Sequence, residues 1–114
     1  MITTTIFPAR YVQGYNALKR LGIEMSRFGQ KGFVICDPFV FDHLLPDFRQ
    51  NMEQAIEIKV ERFGGECSDE EIGRLADLAR KADSELIVGI GGGKTLDTAK
   101  VFGFRYGRRI GYLV

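Results

Sequence analysis

Along this chain, short runs of consecutive apolar residues alternate with stretches in which apolar residues return every three or four positions. The first rhythm suits strands covered on both faces, and the second suits helices with one buried stripe. A first strand is expected over Ile6 to Val12, interrupted by Pro8 and closed by Gly14. Asn16 can then cap a helix in which Leu18, Leu21, Met25 and Phe28 share one stripe, with Gly29 as its stop. Residues 32–37, GFVICD, are short, apolar and β-branched, as a doubly covered strand requires. After Pro46, Asp47 followed by Gln50 is a capping-box signature, so a second helix is expected to begin there, with Phe48, Met52 and Ala55 facing inward.

From Ile56 to Val60 apolar and charged residues alternate, which predicts a strand with one wet face near a sheet edge. FGGECS, residues 63–68, forms the next turn. Ser68 and Glu71 make another capping box, Asp69 and Glu70 suit the positive end of the helix dipole, and Ile72, Leu75, Ala76 and Ala79 form the inward stripe. Arg80 and Lys81 complement the far end of that helix. The strand Leu86 to Ile90 follows. No internal repeat, low-complexity tract or linker interrupts the series, which predicts an α/β domain: a Rossmann-like, open, mostly parallel sheet with helices on both faces.

The last of these strands runs directly into glycines: residues 86–100 read LIVGIGGGKTLDTAK. A strand that breaks into Gly91, Gly92 and Gly93 just before a helix leaves backbone N–H groups at the positive end of the dipole with no side chains in front of them. Such a place suits an anion, most often a phosphate. Two named motifs fail on spacing. The Walker pattern needs glycine where Val88 stands, and the dinucleotide fingerprint starting at Gly91 needs glycine where Leu96 stands. What remains is bare backbone, a point charge on Lys94 and a capping or donating hydroxyl on Thr95, against the alternative of a glycine turn required only for tight strand-to-helix packing.

Composition narrows the partners. A chain of 114 residues is the size of one domain, and 45% hydrophobic with 27% charged residues is an ordinary balance for a globular protein. A formal net charge of +1 gives no reason to expect nucleic acid, and no apolar stretch approaches the length of a membrane span. The N-terminus, MITTTIFPAR, lacks the apolar core of a signal peptide, so a cytoplasmic location is expected. Cys36 and Cys67 are isolated, which favours free thiols over a bridge or a metal clip.

Asp37 stands at the carboxyl end of a strand, the edge along which open α/β sheets bind ligands. A carboxylate there can accept hydrogen bonds from ribose hydroxyls and repel a 2′-phosphate, or it can simply turn the chain ahead of Pro38.

YVQG at 11–14, ICDPFV at 35–40, FGGECS at 63–68 and GIGGGKTLDTAK at 89–100 resemble the nucleotide-binding domain of the glycerol dehydrogenases, within the metal-dependent (iron/zinc) polyol and alcohol dehydrogenase superfamily, over about residues 10–101. The resemblance implies NAD as cofactor, its pyrophosphate on Gly92, Gly93 and Lys94 with Thr95 and Asp97 beside it, and its ribose on Asp37. It also implies hydride transfer from glycerol or a related polyol, with zinc or iron held in the parent enzyme by an all-helical domain beyond a strand that here reads RIGYLV. Pro38 departs from the charged residue expected there, and VFGFRYGRRIGYLV departs from the family's Ala-rich helix and Gly-x-Pro turn, with Arg108 and Arg109 at the turn. Because the sequence stops at Val114 within an apolar run, a truncated domain over 1–114 is expected: inactive by itself, without a catalytic or metal-binding residue, and self-associating through an exposed strand Ile110 to Val114. A stand-alone nucleotide-binding or assembly module is the competing reading.

The remaining candidates read as structural. His43 is the sole histidine, Cys67 precedes a helix without a histidine in sequence reach, and Lys100, Arg105, Arg108 and Arg109 read as a solvated face.

Overall fold

Among the described residues, five parallel strands form one sheet in the order β1-β5-β4-β2-β3. They are β1 (Arg10–Tyr11), β2 (Lys31–Cys36), β3 (Glu57–Arg62), β4 (Leu86–Ile90) and β5 (Arg109–Leu113). The computed structural model describes residues 10–11, 21–23, 25–27, 29–106 and 109–113. Most of the expected first strand, and Asn16, Leu18 and Phe28 of the first helix, lie outside these residues. Residues 21–23 and 25–26 are helical, and Leu21 and Met25 are buried as the stripe requires.

The central strands carry the core because their side chains alternate between two covered faces. Val34 and Cys36 of β2 join Leu86, Val88 and Ile90 of β4 on one face, under Leu21, Met25, Phe48 and Met52. Phe33 and Ile35 join Ile87 on the other face, under Ile72, Leu75 and Ala79 of α2 (Asp69–Lys81) and Ala99 and Phe102 of α3 (Gly93–Tyr106). The rings of Phe33 and Phe102 meet edge to face with centroids 5.7 Å apart. β3 is an edge strand with alternating burial, as its period-two sequence predicts.

Three local expectations are corrected. First, the helix after β2 does not start at Asp47. The chain is helical from Pro38, widens into a π-helical segment over Val40–Leu44, and continues as α1 (Leu45–Ala55). Pro46 has no N–H to return to residue 42, and the wide turn before it, where the Leu45 N–H donates to Val40 O, accommodates the proline. Phe48 and Met52 are buried, but Ala55 is exposed.

Second, only half of the Ser68–Glu71 capping box forms. Ser68 Oγ accepts the Glu71 N–H at 3.1 Å, while the Ser68 N–H donates to Glu66 O instead of to Glu71. The Glu71 carboxylate is taken by stronger, charged donors on Arg74 and by the Gly64 N–H.

Third, β5 is not an open edge. Its Tyr112 and Leu113 pair with β1 on one side, and its other side pairs with β4, so its last residues are covered on both sides. The stretch that departs from the family pattern is thus ordinary helix and sheet here, with Phe102 in the core.

Candidate functional site

The strand order creates the site. From β2 the chain crosses to β3 on one side, and from β4 it crosses to β5 on the other, so the segments leaving these adjacent strands diverge at their carboxyl ends. In open α/β sheets that divergence is the ligand crevice. Asp37 follows β2 and Gly91 follows β4, and the Asp37 N–H donates to Ile90 O at 3.0 Å, joining the two segments.

Asp37 has a structural role as well as its position at the crevice. Its Oδ1 accepts the Val40 N–H at 2.7 Å, which caps the helical segment that begins at Pro38. Its other side faces the glycine loop: a Cβ added to Gly91 would lie 2.7 Å from both Cβ and Oδ2 of Asp37. Gly91 also has φ +149°, so glycine is required there by the protein's own backbone and packing.

Gly92 and Gly93 are different. A Cβ at either position would meet nothing within 4 Å, and neither has a φ in the left-handed range. The need for tight packing therefore explains Gly91 and leaves its two neighbours unexplained. They stand where α3 opens. The Leu96 N–H donates to Gly92 O at 3.0 Å, so the N–H groups of Gly93, Lys94 and Thr95 precede the helix's own ladder. No acidic residue of α3 itself occupies its first turn. Thr95 is buried, whereas Asp97 is exposed on the first turns of α3. The Thr98 hydroxyl, also buried, donates to Lys94 O at 2.8 Å.

The turn after β3 completes this edge of the sheet. The Phe63 N–H donates to Cys36 O at 2.7 Å and seats the turn beside β2. Arg74 then braces it: Nε and one terminal nitrogen bind the two Glu71 oxygens at 2.8 and 2.7 Å, the other terminal nitrogen binds Glu61 at 3.0 Å, and Glu71 accepts the Gly64 N–H at 2.6 Å. Hydrogen bonding from Arg74, helped by the Gly64 N–H, holds the Glu71 carboxyl below its ordinary 4.5 despite partial burial. A depressed carboxyl pKa contributes stability above the unfolded value that is lost as pH falls through the folded one. Arg74→Met is therefore expected to lower the urea midpoint at pH 7, with the deficit against the parent shrinking as pH drops below about 4; denaturation at a series of pH values checks it.

From this braced turn Glu66 reaches the glycine loop, its Oε1 2.8 Å from Lys94 Nζ. Sequence reading misses this pair because 28 positions separate its members. Their common sheet edge, deducible from the strand order, was the available signal.

The other titratable candidates stand apart from this edge's chemistry. His43 is exposed, with its ring 4.9 Å from that of Phe39. Cys67 is an exposed free thiol, and burial pushes the Cys36 thiol up to about 12, aided by the charge of Asp37. Lys100 is exposed, as a solvated face requires, and the side chains of Arg105, Arg108 and Arg109, named with it, lie outside the described residues. Among the described residues, no three His, Cys, Asp or Glu side chains are placed to hold a metal, and no helix is long and apolar enough to cross a membrane.

The sequence matches the family model of the iron-containing alcohol dehydrogenases over residues 8–113. The chain belongs to that family. The match takes in the divergent tail as well as the motifs. Glycerol dehydrogenase of Thermotoga maritima is 50% identical to this family member over 105 residues, 92% of this chain and 29% of that protein. Glycerol dehydrogenase of Pseudomonas putida is 44% identical over 98 residues, 85% of this chain and 27% of that protein. Among solved structures, a probable glycerol dehydrogenase from Sinorhizobium meliloti 1021 superposes with a TM-score of 0.75 at 36% identity, covering 89% of this chain and 27% of the other. The chain thus spans between a quarter and a third of the length of these relatives. The α/β fold with helices on both faces of an open parallel sheet is the one that the sequence pattern predicts.

Proposed function

We propose that this chain is the nucleotide-binding part of an NAD-dependent oxidoreductase acting on glycerol or a related small polyol. The observation that carries the reading is the pair Gly92 and Gly93, bare without any demand from the protein's own packing, at the opening of a helix and next in sequence to Gly91, which packs on Asp37. A cradle that side chains would fill, lined by backbone N–H groups at a positive helix end, fits a dinucleotide pyrophosphate.

In this reading the backbone from Gly91 to Gly93 receives the pyrophosphate, Lys94 neutralises part of its charge, Thr95 and Asp97 flank it, and Asp37 accepts from the adenosine ribose. Bound NAD supplies the hydride acceptor. The chain's own work is to hold and orient it. The chain would contribute no catalytic residue or metal ligand; a zinc or iron ion held elsewhere in the whole enzyme would polarise the substrate hydroxyl, and this chain alone is expected not to turn over glycerol. Two free cysteines suit a reducing cytoplasm.

Asp37→Ser tests the cofactor assignment. Serine still accepts the Val40 N–H, so the cap survives while the charge is lost. Calorimetric titration should show the parent preferring NAD over NADP and the variant narrowing that preference about tenfold or more, as removal of a charged contact implies. An unchanged ratio would reduce Asp37 to a capping residue.

A further inference from the structure

We propose that Glu66 is an internal counter-ion of the glycine loop: its carboxylate holds Lys94 when the loop is empty, competes with any incoming anion, and so sets the loop's affinity. The inference rests on reading the loop as a phosphate site. Two observations carry it. The Lys94 Nζ to Glu66 Oε1 distance is 2.8 Å, and Lys94 is the charged residue at the opening of α3. The turn presenting Glu66 is also held from several directions, by the Ser68 N–H on Glu66 O, by Glu71 on the Gly64 N–H, and by Arg74 on Glu61, Glu71 and Arg62 O. The backbone that presents the carboxylate is thus ordered beforehand, so pairing with Lys94 costs side-chain freedom alone.

Magnitude decides what such a pair can do. Its side chains are 67% and 75% exposed, and ion pairs of this exposure shift equilibria only a few-fold. Glu66 therefore cannot close the loop. A ligand that also meets the N–H groups of α3 displaces it, and on leaving gives Lys94 back. The device weakens anion binding by a small factor and favours release.

The test uses the full chain with ADP-ribose and, separately, inorganic phosphate, titrated calorimetrically against the parent, Glu66→Gln, Lys94→Ala and the double variant. Glu66→Gln should tighten both ligands by a similar factor, about two- to fivefold. In the Lys94→Ala background the same change should have little effect, because the two residues act as one unit. An undiminished gain in that background would make Glu66 a plain repulsive charge and overturn the counter-ion role, as would an unchanged or weakened affinity in the single variant. If the parent binds no ADP-ribose, the nucleotide reading fails by itself. Phosphate then decides: tighter binding in Glu66→Gln upholds the counter-ion, and indifference overturns it.

Discussion

Gly93→Val is expected to abolish the proposed nucleotide binding and to leave the protein at least as stable as the parent. The valine side chain enters open space in the protein itself, since nothing lies within 4 Å of its Cβ position, so folding meets no clash. Replacing glycine at the start of α3 also removes backbone entropy from the unfolded chain and raises helix propensity by a few tenths of a kcal/mol. Binding is another matter, because in the proposed site the branched side chain would occupy the volume through which a pyrophosphate would reach the backbone N–H groups. Gly91→Ala should behave in the opposite order. At φ +149° and 2.7 Å from Asp37, the new methyl group strains the backbone and collides with the aspartate, costing about 1–3 kcal/mol of stability before any ligand is considered. Lys94→Ala should be milder than Gly93→Val, weakening binding by about 1–3 kcal/mol while the cradle remains. Thermal melts beside calorimetric titration with NAD separate the three. A Gly93→Val variant that binds as the parent does would remove the phosphate cradle from the loop.

The contrast among these glycines also shows how far the sequence could be read. Spacing alone rejected the Walker and dinucleotide patterns and identified bare backbone before a helix, but it could not say which glycine the protein needs for itself. That distinction depends on Asp37 lying across the crevice from Gly91, a contact between two strands more than fifty residues apart in the chain. Regular elements were legible because burial repeats at the period of the structure: Ile72, Leu75, Ala76 and Ala79 are all buried on α2, and β3 alternates as its charges do. Helix beginnings were less legible, because capping signals compete. Asp47 carries the pattern of a cap and Asp37 performs the capping, since nothing between Pro38 and Pro46 breaks a helix once a π turn absorbs the proline. Likewise Glu71 has the spacing to complete a capping box, and Arg74, three residues further along the same helix, takes its carboxylate.

Phe102→Ala should cost about 3–5 kcal/mol, the usual loss on deleting a buried aromatic ring from a packed core. Phe102 is fully buried, packs edge to face on Phe33, and sits in the layer that α2 and α3 lay over the sheet. A domain of this size is stable by only about 5–15 kcal/mol, so one such loss removes a large share. The prediction matters because Phe102 belongs to VFGFRYGRRIGYLV, the stretch that departs from the family pattern. If that stretch were an incidental tail, truncating its phenylalanine would barely move the urea midpoint. In the structure it continues the helix that opens at the glycine loop and then feeds a strand paired on both sides, so the packing that fixes the loop's position runs through this ring. The urea midpoint should fall with little change in slope, as expected when stability alone changes. Binding by the fraction still folded should stay near the parent's, in contrast to Gly93→Val, because no contact with the ligand is touched. A loss below about 1 kcal/mol would mean that the Phe102 ring does not hold α3 on β2, and that the glycine loop is positioned by other contacts.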